Sequence, residues 1–300
     1  MVLSRGNLYP PELVTDLMNK VTGKSSFAKL SVQKPVPFNG SEEFVFSMDN
    51  EIDIVAEGGK KSEGGISIDP VVMMPIKVEY GARVTDEFLY ASEEYRLNIL
   101  RAFNDGYAKK VAKGLDLMAA HGINPRTGQA STIIGDNCFD KKVSQTVVFD
   151  AKNPDENVES AISLIRGSEG STTGAAFDNT FSSAMARQTV DGKEGSAKLY
   201  PELKWGANPG SLNGLPIDIN STIGNKSKDK AIVGDFSNMF KWGYAKEIPL
   251  DVIEYGDPDN SGKDLKGYNQ VYLRCETYLG WGILDPDYFA IIKEGESSNV

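Results

Sequence analysis

Apolar and polar residues alternate along residues 51–84. The apolar positions recur at every second residue within short stretches, namely Ile52, Ile54, Ile66, Ile68, Val72, Met74, Ile76 and Val78. This period of two predicts β-strands, because successive side chains of a strand point to opposite faces. The charged, glycine-rich residues 57–65 separate two of these stretches, which indicates a long hairpin with a flexible tip. An isolated two-stranded hairpin is marginal in water, so we expect it to lie on its own domain or on a neighbouring chain.

A long amphipathic pattern follows at residues 92–120. Its apolar positions are three or four residues apart, at Ile99, Phe103, Tyr107, Val111, Leu115 and Met118. This spacing predicts a helix with one apolar stripe. Ser92 is a suitable N-cap and Gly122 a suitable stop. At 1.5 Å per residue the helix would be about 43 Å long, which suits the spine of a domain.

The rest of the chain predicts shorter elements of both kinds. Helices are expected at residues 11–21, 154–166 and 179–188, and strands at 144–149, 173–177, 231–234, 246–255 and 270–283. Residues 1–48 otherwise read as an arm with little to bury by itself. The mixture predicts an α/β or α+β fold.

Composition and charge narrow the class of protein. The chain has 300 residues, of which 40% are hydrophobic and 25% charged, as in globular proteins. A net charge of -10 argues against sequence-specific reading of nucleic acid, although an acidic protein can still enclose it. Two distant cysteines, Cys138 and Cys275, favour a reducing compartment. Neither a signal peptide nor a membrane span is evident, so we expect a cytoplasmic, soluble product.

Catalytic and cofactor motifs are weak throughout. His121 is the only histidine, and its position beside Gly122 at a helix end is explained by the helix dipole. No pattern of zinc ligands is found, and residues 23–25 (GKS) lack the preceding glycine of a phosphate-binding loop. We therefore predict no catalytic residue, no cofactor and no metal site.

The loop at residues 257–268 is a weak calcium candidate. Asp257, Asp259, Ser261 and Gly262 follow the opening of an EF-hand loop, but Tyr268 stands where a bidentate glutamate is expected. A solvated turn is the favoured interpretation.

Nine short segments together carry a family pattern. They are residues 6–14 (GNLYPPELV), 25–30 (SSFAKL), 76–78 (IKV), 85–89 (TDEFL), 115–128 (LDLMAAHGINPRTG), 209–217 (PGSLNGLPI), 232–237 (IVGDFS), 271–274 (VYLR) and 281–286 (WGILDP). In this order they resemble the major capsid proteins of tailed bacteriophages, which have the Hong Kong ninety-seven fold. The resemblance spans nearly the whole chain.

The resemblance implies an α+β capsid fold with defined parts. These would be an N-terminal arm (1–48), an extended loop formed by a β-hairpin (49–80), a peripheral domain with the spine helix (81–129), an axial domain (130–255) and a return to the peripheral domain (256–300). The implied function is self-assembly into hexamers and pentamers of an icosahedral head that encloses double-stranded DNA without sequence specificity. A cellular nanocompartment shell of the same fold is the alternative.

The extended loop is where the resemblance places a subunit contact. We predict an interface at the hairpin tip, formed by Glu57, Gly58, Gly59, Lys60, Lys61, Ser62 and Glu63. Lys60 and Lys61 lie where some family members carry a cross-linking lysine, but no matching asparagine motif is evident. Because the arm motif starts at Gly6, a separate scaffolding protein is expected, together with a portal. The protein would be located in the virion after assembly in the host cytoplasm.

Overall fold

The computed structural model describes residues 19–48, 52–193, 195–225, 227–246 and 251–295. Of the helix expected at residues 11–21, only residues 19–21 fall within this part of the chain, and residues 19–22 are helical.

Runs of helices and runs of strands follow one another along the chain. The helices are α1 (Ser26–Leu30), α2 (Glu87–Tyr90), α3 (Glu93–His121), α4 (Phe139–Lys142), α5 (Pro154–Gly167), α6 (Asn179–Arg187) and α7 (Phe236–Met239). The strands are β1 (Val32–Gln33), β2 (Ser41–Met48), β3 (Ile66–Met73), β4 (Ile76–Thr85), β5 (Thr146–Val148), β6 (Gly174–Phe177), β7 (Ser211–Leu212), β8 (Leu215–Ile219), β9 (Asp229–Gly234), β10 (Phe240–Lys246), β11 (Asp251–Ile253), β12 (Gln270–Ile283) and β13 (Phe289–Lys293). Short 3-10 turns occupy Pro201–Gly206, Lys266–Tyr268 and Pro286–Tyr288.

The helix predicted at residues 92–120 is confirmed. The spine helix α3 begins and ends one residue later than predicted. The Ser92 hydroxyl accepts a hydrogen bond of 3.4 Å from the Tyr95 amide. At the other end Gly122 adopts a left-handed φ of 64°, which a side chain rarely tolerates, and its N–H bonds to Met118. The predicted stripe is buried from Tyr107 to Met118.

The spine helix packs on the first sheet. In that sheet the strands follow the order β1-β10-β12-β11, with β4 also paired to β12. β4 and β12 run antiparallel from Gln270 opposite Thr85 to Leu279 opposite Ile76. The Tyr107 hydroxyl lies 2.8 Å from the Thr277 hydroxyl, which joins helix and sheet inside the core.

A second sheet forms the other body of the molecule. Its strand order is β5-β13-β9-β6-β8-β7, and α5 and α6 supply Ile165 and Phe181 to its core. β13 pairs with β5 and β9 in this sheet, although it lies in the segment expected to return to the spine helix. The two bodies are therefore joined by consecutive strands, β12 and β13.

Part of the segment predicted to be an arm is core. Phe27 of α1 is fully buried, and its ring stacks on that of Phe139 with centroids 5.0 Å apart. The expectation that residues 1–48 have little to bury is wrong for α1. This helix of five residues is too short to show a period, so its packing was not readable from the sequence.

The strand predictions failed at several places, of which two are informative. Residues 52–56 are not in a strand, so the expectation for Ile52 and Ile54 is wrong, and the first arm of the hairpin is β2 instead. β10 was missed. Its Gly243 lets the Lys34 carbonyl approach so closely that a Cβ would lie 1.7 Å from the oxygen, and glycine weakens a strand signal.

Candidate subunit-contact surface

The hairpin of β2 and β3 presents an apolar face to solvent. Phe44 lies opposite Pro70 in the antiparallel register, so the two share a face with Ile66, Ile68 and Val72. The exposed fractions are 56% for Phe44, 65% for Ile66, 51% for Ile68 and 48% for Val72. Soluble proteins rarely expose contiguous apolar surface, so this hairpin face is a candidate contact surface.

The predicted interface residues lie together at the hairpin tip. All seven, Glu57, Gly58, Gly59, Lys60, Lys61, Ser62 and Glu63, are exposed. The Gly59 amide donates to the Ala56 carbonyl at 2.8 Å, which closes a turn with Gly58 at a φ of 77°. Ile52 and Ile54 beside the tip are almost completely exposed. A contact with another subunit at the tip stays a prediction.

The root of the hairpin is held by the first sheet. Met73 is fully buried where β3 meets β12. A Cβ on Gly282 would lie 2.7 Å from Met73 Cγ, so this glycine makes the space that Met73 fills. An ion pair between Lys34 and Glu43 ties β2 to the residues after β1. The hairpin is therefore anchored at one end and exposed at the other.

A second exposed apolar group lies far from the hairpin in the chain. Trp205 is fully exposed and holds a φ of 60° in the kinked turn after α6. Tryptophan is enriched among the residues that dominate binding energy in protein interfaces. Sequence reasoning missed Trp205, because a single aromatic residue between Lys204 and Gly206 has no periodicity.

Two buried aspartates join the segment around α1 to the rest of the molecule. Asp116 of the spine helix accepts hydrogen bonds from the Ser25 and Thr222 hydroxyls, the Asn220 amide group and two backbone N–H groups of α1. Burial raises the pKa of Asp116 to about 6, while these donated hydrogen bonds oppose the rise. Asp218 on β8 accepts from Ser26 and Lys29, both at 2.6 Å.

His121 takes part in a buried charge cluster rather than only capping the spine helix. Its Nδ1 lies 2.9 Å from Asp140 and 3.4 Å from Asp229, and Nε2 lies 3.0 Å from the Thr222 carbonyl oxygen. Lys293 lies 3.6 Å from Asp229. With His121 protonated, two cations balance two carboxylates. A histidine and two aspartates are also ligand types for a metal ion, but the nearby ammonium opposes a second cation.

The pKa values in this cluster follow from burial and from each neighbour. Burial and the adjacent Asp140 raise the pKa of Asp229 to about 7. Burial alone would lower the pKa of His121, but the hydrogen bond and charge of Asp140 raise it. Burial opposes ionisation of Asp140, yet hydrogen bonds to His121 and Asp229 lower its pKa.

The structure gives the carboxylates of the calcium candidate loop another partner. Arg83 of β4 donates to Asp257 at 2.6 Å and to both carboxylate oxygens of Asp259. Asp257 also accepts from the Ser261 and Gly262 amides. The guanidinium therefore holds the loop as a polar turn, which agrees with the favoured interpretation.

The remaining sequence features have structural explanations. Cys138 and Cys275 are buried free thiols, and burial raises the pKa of Cys275 to about 12. A search of the described residues for membrane-spanning helices found none that is long and apolar enough.

A spine helix packed on one sheet, a second body of helices and strands, and an anchored hairpin with an apolar face define a shell subunit of the Hong Kong ninety-seven type. The chain belongs to the phage capsid family, whose sequence model matches residues 5–293. It is a major capsid protein, and its place is in the shell of the virion.

Solved structures support this assignment. A chain from Mycobacterium phage Ogopogo is 31% identical, with a TM-score of 0.75 over 91% of this chain and 92% of that one. A chain from Gordonia phage Cozz is 23% identical, with a TM-score of 0.69 over 91% and 87%. The capsid of an empty GTA particle shares the fold at 14% identity, with a TM-score of 0.62 over 91% and 90%. No curated protein matches the chain.

Proposed function

We propose that each subunit lays its hairpin across a neighbouring copy, and that hexamers and pentamers formed in this way build an icosahedral phage head. The observation that carries the proposal is the exposed apolar face formed by Phe44, Ile66, Ile68, Pro70 and Val72. Burying such a face is favourable by roughly 25 cal/mol per Å² of apolar surface.

The location of the hairpin favours a neighbouring copy over the subunit's own body. β2 and β3 form a sheet of their own, and only its root packs on β12 at Met73. A contact between one surface and a different surface of the next copy closes into a ring when the rotation between copies divides a full turn. Obligate interfaces of this kind commonly bury 2,000 Å² or more, which a hairpin and its exposed tip help to supply.

The same assembly implies further partners. The shell would enclose double-stranded DNA through contacts without sequence specificity, and it would form in the host cytoplasm with a separate scaffolding protein and a portal. The role of the chain in this assembly is mechanical, and we propose no catalytic residue. Glu57 to Glu63 at the tip would lie on the adjacent subunit.

The double substitution Ile66→Ser with Ile68→Ser tests the hairpin contact. Both side chains are more than half exposed, so the unassembled subunit should unfold at the same denaturant concentration as the wild type. Electron microscopy should show few or no closed shells. The matched control is Val148→Ser with Val190→Ser, which removes two valines that are each 68% exposed elsewhere. Normal shells from the hairpin variant would refute the proposal.

Deletion of residues 58–65 tests the tip separately. Residues 58–64 are exposed and Gly65 is half-buried, so soluble and folded protein is expected. Failure to form shells would support a contact at the tip, whereas normal particles would refute that contact.

A further inference from the structure

A basic cavity lies beside the exposed face of the spine helix. It has a volume of about 350 Å³ and is lined by Lys24, Lys109, Lys113, Asn220, Ser221 and Thr222. Lys109 and Lys113 are one helical turn apart on α3, so their side chains lie on one face. Lys24 precedes α1, and the other three residues follow β8.

The lysines of the cavity leave their charge available. Lys20 nearby is paired with Asp105 at 2.6 Å. Within the part of the chain that the structure describes, no carboxylate oxygen lies within 4 Å of the ammonium groups of Lys24, Lys109 or Lys113. The Lys20 hydrogen bond, followed by the charges of Lys20, Lys24 and Lys109, lowers the pKa of Asp105, as a positive local potential would.

Cations near the cavity differ from cations of the first sheet in how they are paired. On the helix side, Arg101 and Lys110 are also exposed and extend the basic surface of the cavity along α3. On the sheet side, cations of β4 and β12 are paired with carboxylates, as in Lys77 with Glu276 at 2.8 Å and Arg83 with Asp257 at 2.6 Å. The lysines of the cavity therefore form a local basic patch on a protein whose net charge is -10.

Hydrogen bonds to Asp116 hold the part of the lining that follows β8. The Asn220 amide group and the Thr222 hydroxyl both donate to Asp116, at 3.1 and 3.0 Å. Ser221 between them is exposed. A serine hydroxyl and lysine ammonium groups that line one cavity suit phosphate oxygens, which accept hydrogen bonds from both without reading sequence.

We infer that this cavity faces the inside of the shell and binds phosphate groups of the enclosed double-stranded DNA. The inference rests on the proposed function, because a closed head brings one face of each subunit against a polyanion. The cavity carries three lysines without a carboxylate partner among the described residues. With only a few phosphate contacts per subunit, each site binds weakly and without sequence preference, so the enclosed DNA stays mobile.

The substitution pair Lys109→Ala with Lys113→Ala tests phosphate binding in unassembled subunits. Both lysines are exposed and alanine favours helix, so the fold is retained. The probe is a 25-base-pair duplex of random sequence, followed by fluorescence anisotropy at increasing salt. Loss of two contacts should lower the slope of log affinity against log salt by about 1.8, and lower the affinity roughly tenfold at low salt.

The matched control is Lys152→Ala with Lys193→Ala, which removes the same charge from exposed positions outside the cavity. Its salt slope should equal that of the wild type. If both variants lost the same affinity for the duplex, net charge rather than the cavity would govern binding, and the inference would be overturned. If the Lys109 and Lys113 substitutions weakened binding of a poly-glutamate peptide as much as binding of the duplex, the assignment to phosphate would be overturned.

Intact empty shells test the orientation. A linear duplex too long to enter, added outside, should bind unassembled subunits but not closed shells. Binding to intact shells that is lost in the lysine variant would place the cavity outside and overturn the inference. Electron microscopy of the same samples separates the two proposals: absence of wild-type shells would refute the proposed assembly, whereas wild-type duplex binding by the lysine variant would refute only the cavity.

Discussion

The Ser25 hydroxyl donates a hydrogen bond of 2.5 Å to the carboxylate of Asp116, although 91 residues separate them in the chain. Asn220 and Thr222 donate to the same carboxylate from the second body. One buried side chain of the spine helix thus joins the segment before α1, the helix itself and the second sheet.

Asp116→Asn should destabilise the subunit strongly. The amide would turn an N–H₂ group toward buried donors and leave some of them unsatisfied, at a cost of about 2–4 kcal/mol in the free energy of unfolding. Urea unfolding of the unassembled protein measures this change in the free energy of unfolding. Asp136→Asn is the control, because the Asp136 side chain is 83% exposed and should change stability by less than about 0.5 kcal/mol. If both substitutions changed the free energy of unfolding by the same small amount, Asp116 would not be the residue that joins these segments.

Stability should fall as the pH rises from about 4 to about 7 because of Asp229. Its pKa is raised from 3.8 to about 7, so in this interval the folded protein holds a proton that the unfolded chain has released. This contribution is complete below pH 3.8 and is lost as the pH passes 7. The pKa of His121 is raised above 6.5, so its contribution is lost in the same direction only as the pH rises above 6.5.

Asp229→Asn is the variant that isolates this effect. Between about pH 4 and about pH 7 the free energy of unfolding of the variant should depend less steeply on pH than that of the wild type. The two slopes should differ by up to about 1.4 kcal/mol per pH unit, which is the limit for one proton. The measurement is urea unfolding at four pH values. If the free energy of unfolding of the variant depended on pH as steeply as that of the wild type, Asp229 would be ionised in the folded protein at pH 5.

Arg83→Ala should release the loop at residues 256–268. Asp257 and Asp259 lose their guanidinium partner, while the bonds from Ser261 and Gly262 remain. Hydrogen exchange of the amides of residues 257–263 should become faster, with α3 unchanged. Lys263→Ala is the control, because its side chain lies over Tyr268 and does not bind the carboxylates. Calcium should not slow exchange in the wild type, since Arg83 already neutralises the loop.

Trp205→Ala should leave the subunit stable but impair assembly. A fully exposed side chain contributes little to folding, so unfolding should change by less than about 0.5 kcal/mol. Loss of a tryptophan anchor commonly costs about 2 kcal/mol or more in an interface. Light scattering should show assembly only at a concentration at least about tenfold higher. Tyr90→Ala, which removes another highly exposed aromatic residue, is the comparison. If Trp205→Ala and Tyr90→Ala impaired assembly equally, Trp205 would not be a specific anchor of the subunit contact.

Periodic patterns in the sequence predicted the elements that bury one regular face. The spine helix and β12 were found almost to the residue, since α3 runs from Glu93 to His121 and β12 from Gln270 to Ile283. The patterns failed where an element is short or contains glycine, as in α1 and β10. In the hairpin they misplaced the first arm, because the exposed Ile52 and Ile54 mimic the alternation of a half-buried strand.

The sequence by itself determined the class of fold, the long helix and the existence of an exposed tip, because these depend on neighbours a few residues apart. Only the tertiary structure decided which charged and polar side chains meet. It placed His121 beside Asp140 and Asp229, Asp116 beside Ser25, and Lys24 beside Lys109. Such groupings depend on how distant segments pack, and side-chain electrostatics acts through space within a few ångströms rather than along the chain.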